Sequence, residues 1–183
     1  MNYATIKTND VANGEGVRVS LFVSGCTHRC EGCFNREAWD FNYGQRFGDE
    51  QIDFILNALD KPHIRGLSLL GGEPFEPQNQ PELLKLLRCF RQRFPEKDVW
   101  CYSGYDFEDD ILTLKLGDPD ITKEMLSYID ILVDGRFIKE LKNLNLRFKG
   151  SSNQRIIDVK KSLEKGEVVL WNGDETLDRL SKW

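Results

Sequence analysis

The sequence predicts an α/β protein whose mostly parallel sheet is curved into a partial, open (β/α) barrel. Three observations support this fold class. Short apolar runs alternate along the chain with segments of helical periodicity, which is the order of right-handed β–α–β crossovers. The apolar runs end in glycine-containing turns. The chain has 183 residues, whereas a closed eight-stranded barrel takes about 250 residues.

Four apolar runs are predicted to be the strands of this sheet. They are Val17–Ser24, Gly66–Leu70, Val99–Tyr102 and Ile129–Val133. A weaker, later strand is predicted at Glu167–Trp171. Because the carboxyl ends of parallel strands gather at one edge of a sheet, we expect the loops that follow these strands to build the active site.

Segments with helical periodicity lie between the strands. Helices are predicted at Asp49–Leu59, Pro81–Phe94, Asp106–Leu116 and Ile121–Leu126. Asp49 is assigned as the N-cap of the first helix, and Pro81 suits the first turn of the second. Near the end of the chain, Leu177, Leu180 and Trp183 suit a short docking helix.

Composition excludes several classes of protein. Lys and Arg number 25 and Asp and Glu 30, a net charge of −5, which argues against a nucleic-acid partner. No apolar run is long enough to cross a bilayer and residues 1–10 lack a secretory stretch, so we expect a cytoplasmic protein without a membrane partner. Residues 136–165 are basic, unlike the chain as a whole, because they contain nine Lys and Arg but only three Asp and Glu. This basic tract is either a solvated face or a surface for an acidic partner or a nucleotide.

Three of the five cysteines lie within eight residues, in the pattern Cys26-x3-Cys30-x2-Cys33. An odd number of cysteines in a reducing compartment argues against a disulfide framework. Three thiolates on one tight loop suit three corners of a four-iron cluster, because iron–sulfur clusters require soft sulfur ligands. The fourth iron is then left open for a substrate.

Zinc is the competing interpretation of the cysteine loop. A structural zinc site needs four ligands, usually in two separated pairs. His28 is the candidate for a fourth ligand, but its place between two cysteines strains a tetrahedral site. Cys89 and Cys101 fall in a predicted helix and strand, where buried free cysteine is common.

The cysteine loop after the first strand, followed by Gly71-Gly72-Glu73-Pro74 after the second, resembles the radical S-adenosylmethionine superfamily. Seven stretches resemble one branch of it, the activating proteins of the anaerobic (class III) ribonucleoside-triphosphate reductase. They are VANG (11–14), LFVSGC (21–26), GCFN (32–35), GGEPFEPQN (71–79), SGY (103–105), LVDGRF (132–137) and GSSNQ (150–154). The resemblance covers residues 1–157. It therefore predicts a radical S-adenosylmethionine domain there. The resemblance assigns nothing to residues 158–183, which we expect to be a C-terminal extension packed on the same domain.

The resemblance implies a set of site residues and two cofactors. Cys26, Cys30 and Cys33 are the expected ligands of a 4Fe-4S cluster, whose open iron the methionine part of S-adenosyl-L-methionine chelates. The expected cofactor-binding residues are Gly32, Cys33 and Phe34 beside the nucleoside, Gly71, Gly72 and Glu73 at the methionine, and Ser103 at the ribose or carboxylate. The alternative for Gly71–Glu73 is a plain strand-to-loop turn without a ligand. The alternative for Phe34 is an aromatic side chain that packs within its own loop. Asn13, Gly14 and Arg18 are candidates for positioning a partner loop, with turn chemistry as their alternative.

The implied activity is that of a glycyl-radical activase. One electron cleaves S-adenosyl-L-methionine into methionine and a 5′-deoxyadenosyl radical, which takes hydrogen from a glycine of the anaerobic ribonucleoside-triphosphate reductase. The implied partners are that reductase and a one-electron donor such as flavodoxin, and a homodimer is left open.

Two alternatives to the glycyl-radical activase remain. One is a small radical enzyme that acts on a free molecule, as 7-carboxy-7-deazaguanine synthase does, and the other is a zinc-stabilised binding module. His28 and His63 are expected at the surface.

Overall fold

One sheet of seven strands organises the chain, in the order β3-β1-β2-β4-β5-β6-β7. The structure, a computed structural model, describes residues 1–173. The strands are β1 Asn2–Asp10, β2 Val17–Val23, β3 Gln45–Arg46, β4 Ile64–Gly71, β5 Asp98–Tyr102, β6 Ile131–Asp134 and β7 Arg155–Asp158. The α-helices are α1 Asp49–Leu59, α2 Gln80–Arg93, α3 Pro119–Ser127 and α4 Val159–Lys165.

The centre of the sheet is parallel and its two sides are antiparallel. Strands β2, β4, β5 and β6 pair in parallel, as predicted. Strand β1 runs antiparallel to both β2 and β3, and β7 runs antiparallel to β6. The short loop at residues 11–16 joins β1 to β2, and so short a connection enforces an antiparallel pair. Within the described residues the sheet is open, with β3 and β7 at its edges.

Several predicted elements differ from those observed. Strand β1 was not predicted because its sequence is polar; it alternates exposed and half-buried residues instead of forming an apolar run. The strand predicted at Glu167–Trp171 is wrong, since only one bridge, Ile157 to Leu170, forms there. Strands β3 and β7 and helix α4 were missed as well.

The helix predictions are confirmed for α1, α2 and α3, with two corrections. The N-cap of α1 is Gly48, whose N–H donates to Gln51 Oε1 at 3.0 Å, so Asp49 lies in the first turn instead. The helix predicted at Asp106–Leu116 is wrong, because only one wide turn forms at Phe107–Ile111. The docking helix predicted through Leu177 lies outside the described residues. No helix among residues 1–173 combines the length and apolar character needed to cross a bilayer.

The two faces of the sheet are packed differently. Val99 and Cys101 of β5 belong to the main core, together with apolar residues of α1, α2 and α3. Trp100, between them, points to the other face and forms a smaller cluster with Phe148 and Trp171. This follows from the strand geometry, because successive side chains of a strand point to opposite faces. The helices therefore cover one face and leave the other to loops.

The start of the C-terminal segment packs on this second face. The Trp171 ring centroid lies 5.0 Å from that of Trp100, in an edge-to-face arrangement. Val159, at the start of α4, is fully buried in the main core. The boundary predicted at residue 157 stays a prediction.

A buried arginine holds the β1–β2 loop against the sheet. Arg18 is fully buried, and its Nε donates to Ser68 Oγ at 2.7 Å. Its guanidinium also donates to the carbonyls of Glu15 and Leu67 and pairs with Asp98. Burial lowers the pKa of Arg18, and the charge of Asp98 opposes that shift. Arg18 is thus part of the scaffold and not a contact for a partner loop.

Replacing this arginine is expected to destabilise the fold. Arg18→Met removes one partner of a buried ion pair and leaves the hydroxyl and carbonyl acceptors unpaired, which costs about 3 kcal/mol or more. Arg93→Met is the control, since the Arg93 side chain is 42% exposed and pairs with the exposed Asp60. It is expected to cost about 1 kcal/mol or less. Urea unfolding measures both free energies, and equal losses would contradict a structural role for Arg18.

Candidate functional site

The predicted site residues meet around one cavity, here called the inner cavity. It lies where the parallel strands end and has a volume of about 490 Å³. Its lining includes all of the residues that the sequence assigned to the cluster and the cofactor, namely Cys26, Cys30, Gly32, Cys33, Phe34, Gly71, Gly72, Glu73 and Ser103. The expected gathering of strand-end loops is therefore what the structure shows.

Backbone hydrogen bonds anchor the start of the cysteine loop, directly after β2. The Gly25 N–H donates to the Ala38 carbonyl at 2.8 Å, and the Cys26 N–H donates to the Trp39 carbonyl at 3.2 Å. Gly25 has a φ of +94°, and a Cβ there would lie 2.2 Å from the Phe41 ring. Glycine is required at this position both for the left-handed backbone and for the close ring.

The Gly71–Glu73 turn packs directly on the cysteine loop. The Glu73 N–H donates to the Gly25 carbonyl at 2.8 Å, and the Gly72 N–H donates to the Val23 carbonyl at 2.7 Å. A Cβ on Gly72 would lie 2.4 Å from the Gly25 oxygen. The glycines are needed because the two backbones approach so closely.

The Glu73 carboxylate ties three strand-end loops together. Only 1% of Glu73 is exposed. Its Oε1 accepts from Ser103 Oγ at 2.9 Å and from the Phe75 N–H at 2.9 Å. Its Oε2 accepts from the Gly104 N–H at 2.7 Å and contacts His28 Nε2 at 3.1 Å. Both oxygens are occupied by the protein, so this side chain positions the site.

Two further residues of the same motif reach back to the cysteine loop. Glu76 Oε1 accepts from the Thr27 N–H at 2.7 Å and from its hydroxyl at 2.6 Å. Asn79 Nδ2 donates to the Ser24 carbonyl at 3.0 Å and to the Glu73 carbonyl at 2.9 Å. The sequence reasoning assigned neither residue a role. The sequence signal that could have indicated a role is that both residues lie in the turn after a buried strand. Polar side chains that become buried in such a turn need hydrogen-bond partners.

The three loop cysteines are free and half-buried, which suits ligands that must reach both a metal and a cavity. Burial, and secondly the charge of Glu73, raise the pKa of Cys26 to about 12. Burial also raises the pKa of Cys30. Metal binding must therefore displace protons from these thiols at neutral pH.

The three loop thiols of the described chain are not gathered as closely as one tetrahedral zinc ion requires. Sulfur atoms around a single tetrahedral zinc lie about 3.8 Å apart, given a Zn–S bond of about 2.3 Å. Within residues 1–173 the three cysteine sulfurs do not form a group closer than 4.8 Å. Cys101 is buried in β5 and Cys89 lies on α2, so neither supplies a fourth thiolate here. The donor set, three soft sulfurs around an open cavity, fits the cluster.

His28 is not the surface residue that the sequence suggested. Its side chain is only 3% exposed, and its ring packs edge-on against Tyr105 with centroids 4.3 Å apart. Its Nε2 contacts the Glu73 carboxylate, and its buried Nδ1 has no hydrogen-bond partner within residues 1–173. His63 is exposed, as expected. Phe34 is 87% exposed, so it stands at the cavity mouth and does not pack within the loop.

The two late motifs form the far wall of the inner cavity by binding each other. Gln154 Nε2 donates to the Gly135 carbonyl at 2.9 Å, and Asn153 Nδ2 donates to the Arg136 carbonyl at 2.9 Å. The Gly150 N–H donates to Gln154 Oε1 at 2.8 Å. LVDGRF and GSSNQ are therefore two halves of one structural unit, which explains why they occur together.

An acidic cluster beside this wall is an ion-pair network. Asp106, Glu108 and Asp134 bring carboxylate oxygens within 4.8 Å of one another. Arg155 donates to all three. The hydrogen bond that Arg155 donates to Asp134 raises the pKa of Arg155, so the guanidinium stays charged and balances the carboxylates.

Comparison with known proteins gives the class first. A family model described as a 4Fe-4S single cluster domain matches residues 12–157. With the open α/β sheet and the three-cysteine loop, this identifies an iron–sulfur protein and favours an iron–sulfur cluster over the zinc alternative.

Curated relatives then give the particular family. The anaerobic ribonucleoside-triphosphate reductase-activating protein of Enterobacteria phage T4 is 44% identical over 156 residues, which cover 85% of this chain and 93% of that protein. The Escherichia coli K12 protein of the same name is 41% identical, with 84% and 96% coverage. The Haemophilus influenzae protein is 42% identical, with 85% and 97% coverage. The chain belongs to the family of anaerobic ribonucleoside-triphosphate reductase-activating proteins, which confirms the resemblance.

The Glu73 carboxylate can be tested against its neighbour in the same motif. Glu73→Gln places an amide N–H against the donors Gly104 or Ser103, so the unfolding free energy of the metal-free protein is expected to fall by about 1–3 kcal/mol. Glu76→Gln is the matched control, because its remaining amide oxygen can accept both bonds from Thr27. Denaturant unfolding measures both, and an equal or larger loss in Glu76→Gln would contradict the role given to Glu73.

Proposed function

We propose that this chain is a glycyl-radical activase that acts on an anaerobic ribonucleoside-triphosphate reductase and uses S-adenosyl-L-methionine as its radical source. The observation that carries the proposal is the common cavity. Three thiols on one loop open into the same space as the glycine turn after the neighbouring parallel strand. That arrangement would bring a redox cluster and a small organic cofactor to one place, which radical chemistry requires.

Cys26, Cys30 and Cys33 would hold the cluster. When bound, the cluster supplies the electron that breaks a carbon–sulfur bond of S-adenosyl-L-methionine. The protein contributes position and exclusion of water. Its loop is fixed by Glu73, Glu76 and the backbone bonds after β2.

We expect the cofactor to be bound in the inner cavity. Gly71 and Gly72 present backbone beside the cysteine loop and suit the methionine end, while Gly32, Cys33 and Phe34 suit the nucleoside. Ser103 and Glu73 serve this site indirectly, since the Ser103 hydroxyl is already bound to Glu73. The open sheet that carries these loops would be the partial barrel typical of radical S-adenosylmethionine enzymes.

The second candidate, a radical enzyme for a free small molecule, has less support. The cavity mouth carries two apolar side chains with almost full exposure, Phe34 at 87% and Leu144 at 88%. Exposed apolar residues around a cavity are typical of a surface that another protein covers. A glycine on a large partner is therefore favoured as the hydrogen donor.

The cluster assignment predicts the behaviour of single cysteine variants. Cys26→Ala, Cys30→Ala and Cys33→Ala are each expected to lose the visible sulfur-to-iron absorption and most of the bound iron after anaerobic reconstitution. Cys89→Ala, on α2, is the control and should load iron like the unmodified chain. Retention of full iron content by any one of the three loop variants would refute its assignment as a ligand.

The activity predicts two products and one radical. With dithionite, the reconstituted chain should convert S-adenosyl-L-methionine to methionine and 5′-deoxyadenosine. With an anaerobic ribonucleoside-triphosphate reductase added, electron paramagnetic resonance should detect a glycyl radical on the reductase. Cys33→Ala should abolish both results. Cofactor cleavage without a protein radical, coupled to turnover of a free small molecule, would support the second candidate instead.

A further inference from the structure

A second concavity, here called the outer groove, adjoins the cysteine loop. Its volume is about 750 Å³. Cys26 and Trp39 line both the inner cavity and the outer groove. The rest of the groove includes Arg29, Arg36 and Phe41. A cluster ligand thus faces two spaces, and the proposed function uses only one of them.

The outer groove carries positive charge on a chain that is acidic as a whole. Arg29 and Arg36 are exposed and form no ion pair within residues 1–173. One acid, Asp40, also lines the groove, and its Oδ1 accepts from the Asn42 N–H at 2.9 Å. Although the net charge of the chain is −5, two arginines against one acid give this groove a local positive excess that attracts an acidic partner.

The acids that neighbour these arginines in sequence have other partners. Glu31 pairs with Lys139 at 2.7 Å, and Glu37 accepts from the Tyr43 hydroxyl at 2.9 Å. The charge of Arg36 acts on Glu31, but the hydrogen bonds of the two acids go to Lys139 and Tyr43. The two arginines keep their charge available at the groove.

The backbone at Arg29 gives a second reason to assign a role to that side chain. Its φ is +48°, in the left-handed region that glycine and asparagine occupy at less cost. An arginine at a position where its backbone conformation is unfavourable indicates that its positive charge has a function there. The Arg36 guanidinium is held beside the groove as well, 5.7 Å from the Trp39 ring centroid.

Resting on the proposed function, we infer that the outer groove is the docking surface for an acidic, flavin-carrying electron-transfer protein. The inner cavity must hold the cofactor, admit the target glycine and exclude water, so an electron carrier needs another approach. The outer groove brings a carrier to Cys26 itself, one side chain from the cluster. In this step the reduced flavin loses one electron and the cluster gains it, and no bond forms or breaks.

The test compares two charge-reversal variants with the same change in net charge. Arg29→Glu/Arg36→Glu alters the outer groove. The control, Lys115→Glu/Lys123→Glu, alters exposed lysines that line neither the groove nor the inner cavity. Both proteins are reconstituted, and iron and sulfide analysis together with complete reduction by excess dithionite establishes that the cluster is intact. Stopped-flow absorption then measures the rate of cluster reduction by reduced flavodoxin, the probe, at several salt concentrations.

The groove variant is expected to be reduced at least about tenfold more slowly at low salt and to lose most of its salt dependence, because electrostatic steering sets the encounter rate. The control should keep the rate of the unmodified chain. Arg29→Gly removes one charge at a backbone that glycine favours, so it should fold normally and slow reduction several-fold.

Equal rates in the groove variant and the unmodified chain, or equal slowing in the control, would overturn the inference. If the unmodified chain binds no cluster at all, that result contradicts the proposed function instead. Iron analysis detects this outcome before any reduction rate is measured.

Discussion

The site depends on one buried carboxylate. Glu73 receives hydrogen bonds from its own turn and from the loop after β5, and it contacts the histidine of the cysteine loop. A charge with 1% exposure is tolerated only when donors replace its lost hydration. Because those donors come from three loops, the carboxylate is stabilised only when all three are in place. The electrostatic requirement of one side chain thereby fixes the relative positions of the loops.

The two faces of the sheet divide the remaining tasks. The helical face carries the main apolar core, which supplies most of the burial. The other face has a small aromatic cluster of Trp100, Phe148 and Trp171, with Arg18 stacked 5.6 Å from the Trp100 ring. Phe148 also lines the inner cavity. The C-terminal segment therefore supports a cavity wall from behind, although the family match ends at residue 157.

The parallel centre of the sheet and the residues of the site could both be predicted from the sequence. Fully buried strands are continuous apolar runs, and residues placed just after them must meet at one edge. Strand β1 escaped prediction because a half-covered strand needs few apolar residues. The direction of the Glu73 side chain was also not predictable, since a motif gives order along the chain and not orientation. His28 was placed wrongly because its partner is 45 residues away in the chain.

The anchoring of the cysteine loop has a consequence for how its variants are interpreted. Backbone bonds at Gly25 and Cys26, with the side chains of Glu76 and Asn79, hold the loop through groups other than the three cysteine thiols. Truncating a thiol therefore leaves these anchors in place, unlike in small zinc domains, which fold only around their metal. A change in iron content then reports on the ligand itself and not on a collapsed loop.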